Sequence, residues 1–165
     1  MNHSEIPMRR SDRAVTDAAQ MGDILARCKV CHVALLDGDM PYVVPLSYGF
    51  ELADGALTLY FHSAKEGRKL DVLRKNARAA FSVCHEGETV FLSERPCGSS
   101  TYFESVLGSG TITVVEDVTE KCAALACIMA HQTGRDIAFL PEHADTVCVL
   151  KLVSRDFTGK RKAKP

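Results

Sequence analysis

The sequence has no run of about 18 apolar residues, so no transmembrane helix is expected. Its opening, MNHSEIPMRRSDRAV, has Arg9 and Arg10 but no apolar stretch behind them. The pattern of a secretory signal is therefore missing, and the cytoplasm is the expected compartment. Net charge is nearly absent as well: 20 Lys and Arg against 21 Asp and Glu leave −1. That balance speaks against nucleic acid or a membrane surface as partner and favours small neutral or anionic ligands. There is no G-x-x-x-x-G-K-[ST] loop, no internal repeat, no low-complexity stretch and no linker. The seven cysteines, at 28, 31, 84, 97, 122, 127 and 148, hold one C-x-x-C pair and no second. An odd number so arranged suggests neither a disulfide framework nor a four-cysteine zinc site, and free buried thiols are the plainer reading.

What is present is the mixture of an ordinary folded protein. Of 165 residues, 46% are apolar and 25% charged. A chain of that length buries about two thirds of the surface its unfolded form exposes, without a disulfide or metal staple. Residues 1–165 read as a single domain, with 1–12 and 160–165 as flexible ends. One motif stands against so plain a reading: Cys28, Cys31 and His32 in CKVCH match the C-x-x-C-H string by which c-type haem is attached.

Periodicity divides the chain into elements. Behind Thr16 or Asp17 as N-cap, Ala18, Met21, Ile24, Leu25 and Cys28 recur at helical spacing. VCHVALLD, YVVPLSYGFE and ALTLYFH follow as strands, separated by the hairpin dipeptides Asp37-Gly38 and Asp54-Gly55, so an antiparallel meander is expected. In the third, Leu57, Leu59 and Phe61 share the core face, leaving Thr58, Tyr60 and His62 on a face outside the core. Ser63 and Glu66 read as a capping box for a helix over 63–76. A strand is expected at ARAAFSVCHE, a loop at GETVFLSERPCGSS, and a long strand or bent hairpin over 101–117 with a bulge or sharp bend at Gly108 and Gly110. The pair Asp117 and Glu120 opens a helix over 118–133 with Cys122, Leu125, Ile128 and Met129 inward. The strand TVCVLKLVSRDFTG and a basic tail, read as a solvated end, close the chain.

Many short strands with few helices argue for a mainly β, α+β chain: a closed or half-closed antiparallel barrel with helices packed outside. In that frame CKVCH lies where a helix hands over to the first barrel strand. Alternation then puts Val30 and His32 on one face and Cys31 and Val33 on the other. No haem fits both thiols and the imidazole at once.

The stretch LYFHSAKEGRKLDVL carries more chemistry. A strand ends in the polar pair His62-Ser63 and turns into a helix whose first turns hold Lys65, Arg68 and Lys69. Free N–H groups, a positive dipole end, cations and the Ser63 hydroxyl are what a phosphate monoester needs. The bland alternative is a capping serine and a solvated basic face.

The succession HVALLDGDMPYVVPLSYGF, LYFHSAKEGRKLDVLRKNARAAFSV, SVLGSGTITVVED and VLKLVSRDFTGKRK resembles the pyridoxamine 5′-phosphate oxidase-like flavoproteins, and among them the nitroimidazole resistance group, from about Arg10 to Lys162. The resemblance implies an FMN-binding split β-barrel working as a homodimer with flavin at the subunit interface. It implies that Arg68 and Lys69 grip the FMN phosphate and that His62 and Ser63 contact phosphate, ribityl or ring. It also implies that the backbone of Val44, Pro45, Leu46 and Ser47 meets the isoalloxazine edge, with Ser105 as a further flavin contact. Proline at 45, lacking an N–H, marks a point where ladder pairing is already interrupted. The C-terminal arginine-containing segment that binds substrate in authentic pyridoxamine-phosphate oxidases is absent, which sets vitamin B6 phosphate aside as substrate.

The expected activity is that of a flavin-dependent oxidoreductase, passing two electrons from NAD(P)H to a small electrophile such as a nitroimidazole, with His62 as proton donor. The alternatives are a non-catalytic flavin-binding protein for storage or redox sensing, and a haem or deazaflavin protein of the same fold. Specificity would rest on loops such as 87–100 and on the partner subunit. Tyr102 and Phe103 could line the flavin or fill the dimer interface. Cys127 and His131, at i and i+4 on a helix, are too few for a metal site, and none is expected.

Overall fold

The computed structural model describes residues 7–163; the expected flexible stretches at 1–6 and 164–165 lie outside the described residues. In chain order the elements are β1 (Ala14–Val15), α1 (Ala18–Arg27), β2 (Val30–Asp37), β3 (Met40–Ala53), β4 (Ala56–Ser63), α2 (Arg68–Lys75), β5 (Arg78–Phe91), β6 (Ser99–Val114), α3 (Val118–Thr133), α4 (Pro141–Ala144) and β7 (Cys148–Lys162). The sheet order is β1-β7-β4-β3-β2-β5-β6, and β6 pairs back onto β7. Six antiparallel strands thus close a ring, not a regular barrel, with β1 hung on β7. Closure leaves no long open edge except where neighbouring ladders stop short.

Local chemistry explains the connections. The β3–β4 hairpin turns on Asp54-Gly55, both at positive φ (52° and 70°), the backbone of a type I′ turn whose twist suits the flanking strands. The register of β6 on β7 shifts between Ser109 and Thr111. A Cβ on neighbouring Gly108 would stand 2.6 Å from Asp156 O, so only glycine lets the strands approach there. Asp17 and Asp117 accept hydrogen bonds from Gln20 N and Glu120 N, both at 2.8 Å, and start α1 and α3 at the expected places.

Inside the ring, Cys31, Val33 and Leu35 of β2 meet Leu57, Leu59 and Phe61 of β4 and Leu150 and Leu152 of β7. Ile24 and Leu25 from α1 and Leu70, Val72 and Leu73 from α2 join the same core. A second, smaller core lies outside the ring. There Tyr60 and Val149 are covered by Leu125 and Ile128 of α3 and Ala144 of α4. Gly49 permits it, because a Cβ there would lie 2.6 Å from Ile128 N. The helix backbone rests directly on β3.

Several expectations need correcting. The face of β4 opposite the core is not wholly outside it: Tyr60 is buried under α3 and its hydroxyl donates to Glu51 Oε2 at 3.0 Å. A single strand pattern cannot show that a helix distant in sequence will cover its second face. No capping box forms at Ser63, whose hydroxyl instead donates to Ala64 O (2.9 Å) while its backbone stays in β4 opposite Cys148. The helix begins at Arg68, behind Gly67 at φ 126°, a backbone region effectively reserved for glycine. The loop expected at 87–100 is half strand: β5 runs on to Phe91 past an irregularity between Glu86 and Thr89, and Ser99 and Ser100 already belong to β6. The basic tail is strand through Lys162, which pairs with Phe103, so 160–162 is not a loose end.

Candidate functional site

The β3–β4 ladder runs from Ala53/Ala56 to Tyr48/Phe61 and stops. Beyond it β3 continues back to Met40 paired to β2 alone, with Val44 opposite Val33, Pro45 opposite His32, Leu46 opposite Cys31 and Ser47 opposite Val30. On the other side β4 goes on through His62 and Ser63, paired to Val149 and Cys148 of β7. The two neighbours part, and a gap opens between the free edge of 44–47 and the end of β4. Backbone groups along such an edge keep their hydrogen-bonding capacity for something other than a strand. Pro45 interrupts the N–H row at its middle.

From the end of β4 the chain reaches the first turn of α2 after four residues. Gly67 at its N-cap has no side chain, so no side-chain oxygen covers the N–H groups of the turn, and the space beside its Cα is open. Arg68 reaches the β2–β3 hairpin: its Nε donates to Asp37 Oδ2 at 3.0 Å and its guanidinium lies 4.6 Å from the centre of the Tyr42 ring. One donor is used and the Nη groups remain available. Lys69 is half-buried, and burial lowers its pKa. Among the described residues no carboxylate lies within ion-pair distance of its ammonium. A desolvated cation without an anion, beside an uncapped helix start and a polar strand end, is a place where an oxyanion is stabilised.

Val44, Pro45, Leu46 and Ser47 thus lie along the edge of β3 that β4 leaves unpaired, His62 and Ser63 at the end of β4, and Arg68 and Lys69 in the first turn of the helix that follows. His62 stands exposed on β4. Ser105 is not among them: it sits on β6 at 8% exposure, opposite Cys84 and Lys160, with β2 and β5 between it and β3. That is about 14 Å around the ring at ordinary strand spacing. Sequence reasoning missed Asp37 and Tyr42, which hold Arg68. Asp37 was legible only as a turn residue, and nothing local to Tyr42 points to a cation 26 residues further on.

CKVCH is divided by the fold. Cys28 ends α1 and Cys31 points into the ring; both are buried, and burial above all pushes their thiols up to about 11 and about 12. His32 faces outward, on the opposite side of β2. The two thiols and the imidazole cannot meet one haem. Cys127 and His131 spend their polar atoms elsewhere: Sγ on Phe50 O (3.6 Å) and Nε2 on Cys28 O (2.8 Å). Tyr102 is buried in β6 with the Lys162 ammonium 5.7 Å from its ring centre, and Phe103 lies between Arg13 and Lys160. No helix of the described residues is long and apolar enough to cross a membrane.

The family model for pyridoxamine 5′-phosphate oxidase matches residues 17–161. No curated protein matches the chain in sequence. Among solved structures, a candidate 5-nitroimidazole antibiotic resistance protein from Bacteroides thetaiotaomicron is 30% identical over 90% of this chain and 86% of its own, with a TM-score of 0.77. The FAD- and haem-binding protein of Mycobacterium smegmatis is 21% identical over 92% of this chain and 74% of its own, with a TM-score of 0.75. The flavocytochrome Anf3 of Azotobacter vinelandii is 18% identical over 96% of this chain and 73% of its own, with a TM-score of 0.76. At those last two identities the likeness is one of fold.

Proposed function

Because the chain belongs to the pyridoxamine 5′-phosphate oxidase family, we propose that it binds FMN in the gap between β3 and β4 and works as a reductase of small electrophiles such as nitroimidazoles, with a nicotinamide donor. The observation that carries this reading is Lys69: a half-buried cation with no carboxylate in ion-pair distance among the described residues, in the first turn of an uncapped helix that follows the strand end His62-Ser63. Those residues fit a flavin phosphate at one end and a flat ring with hydrogen-bonding edges along 44–47. The candidate nitroimidazole resistance protein that shares 30% of its residues favours the substrate class. A bound flavin would supply two-electron transfer between donor and acceptor.

The chain's own residues have separable tasks. Lys69, the Nη groups of Arg68 and the first-turn N–H groups of α2 bind phosphate. Asp37 and the Tyr42 ring orient Arg68 for it. The backbone of Val44, Leu46 and Ser47 offers donors and acceptors to the ring edge. His62 holds the proton that a reduced nitro group requires.

The site is open on the side away from the core. Val30 and Val43 are 42% and 55% exposed on neighbouring strands of the outer face, where a second copy of the chain would cover both them and the gap. We read the working unit as a cytoplasmic homodimer.

The test is equilibrium titration with FMN and with riboflavin. FMN should bind far more tightly, and Lys69→Ala should reduce that preference about tenfold or more. Equal binding of the two flavins to wild type would refute the phosphate site.

A further inference from the structure

We propose that the cavity beside α2 binds an adenosine diphosphate moiety, the chemistry common to FAD and to nicotinamide dinucleotides. This cavity of about 610 Å³ lies between α2, the end of β6, the start of β7 and the first turn of α3. Its volume falls within the range of about 300–1,000 Å³ usual for small-molecule sites. The inference rests on the flavin reading only for the position of its mouth. Lys65, which lines it, stands midway between Ser63 and Gly67, and Cys148, part of its wall, is the strand partner of Ser63. A ligand whose phosphate sits at the head of α2 can therefore continue into this space.

Charge and surface suit that continuation. Lys65, Arg74 and Lys121 line the cavity against a single carboxylate, Glu116. Arg74 and Lys65 have only exposed ion pairs, to Asp71 (2.6 Å) and Asp145 (3.6 Å), which hold them weakly. Lys121 has no carboxylate within ion-pair distance among the described residues. A diphosphate answers this surplus of positive charge. Leu73 and Ile112 give an apolar floor for a purine face. Glu116 accepts from the donors that adenine and ribose present, the amino group and the hydroxyls. An inorganic anion would use the cations and leave the floor idle. A plain apolar ligand would bury the charges unpaired.

The experiment is calorimetric titration of the purified protein with ADP, with and without FMN, for wild type, Lys121→Ala and Arg74→Ala. ADP should bind wild type, and each variant should weaken it by about tenfold or more, the usual scale for one charge-assisted contact. FMN affinity should be the same in all three. If the moiety belongs to the cofactor, FAD should bind wild type more tightly than FMN and lose that advantage in the variants. If it belongs to the donor, FAD should show no advantage, and NADH should compete with ADP on the FMN-loaded protein. Absence of ADP binding, or equal ADP binding by wild type and both variants, would overturn the proposal even if FMN binds normally. Failure of FMN binding with ADP binding intact would instead sink the flavin reading alone.

Discussion

Lys69 carries a charge that burial disfavours and that no carboxylate among the described residues offsets, so an incoming phosphate gains a contact without breaking one. Replacing Lys69 or Arg68 by alanine should each cost FMN about 1.5–3 kcal/mol, roughly tenfold or more in affinity, and leave riboflavin almost unaffected. Comparable losses for both flavins would mean that these residues serve the fold. His62 should act later. His62→Gln should keep FMN and the fold yet slow anaerobic reoxidation of the pre-reduced protein by nitroimidazole about 10²-fold, the scale of one general acid. Unchanged reoxidation would reduce His62 to a cofactor contact. His131 offers a test independent of the flavin. Burial, first, and nearby Lys29 hold its pKa below the ordinary 6.5, against the hydrogen bond to Cys28 O. It binds fewer protons folded than unfolded, so its contribution to stability is present above pH 6.5 and is lost as pH falls through the folded value. Melting temperature should therefore drop from about pH 7 to about pH 5, and His131→Gln should flatten that slope. Arg68, Lys69 and His62 were legible in the sequence because strand end and helix start are contiguous there. Asp37 and Tyr42 were not, since only the closed hairpin brings them to Arg68.

Two elements make the site, and each depends on one glycine. β3 stays flat against α3 because Gly49 has no Cβ to strike the helix backbone at Ile128. Gly49→Ala must shift backbone rather than a side chain, at a cost of about 1–3 kcal/mol. In urea the midpoint should fall with an unchanged slope, and an unaltered midpoint would contradict the contact. Gly67 sets the start of α2 through its positive φ, with open space around it. Gly67→Ala should thus strain the turn, weakening FMN more than it weakens the fold. The starts of α1 and α3 could be read from their aspartate caps, since a cap is a local device spanning four residues. The start of α2 could not. S-x-x-E is an equally local pattern, but pairing of Ser63 with Cys148, 85 positions away, kept it in the strand. The continuation of β5 to Phe91 was hidden for a related reason: GETVFLSERPCGSS reads as a loop, and only β6 shows that the ladder survives the irregularity.

For the molecule as a whole, many short strands with few helices were enough to foretell a closed or half-closed β architecture, and alternation in β2 spoke against the haem reading of CKVCH. The gap itself follows from where two ladders end, which no single segment records. A ring with an open gap and exposed valines beside it should be a dimer in solution, with light scattering giving about twice 18.0 kDa. A monomer that still held FMN tightly would remove the interface from the account. The central claim, a flavin seated between β3 and β4 with its phosphate at Lys69, is tested most directly by titrating FMN into the purified protein while recording the visible spectrum. One FMN per subunit should be taken up with perturbed flavin bands, and Lys69→Ala should shift that titration to concentrations about tenfold or more higher. No uptake of FMN, or a Soret band that survives acid-acetone extraction, would contradict it.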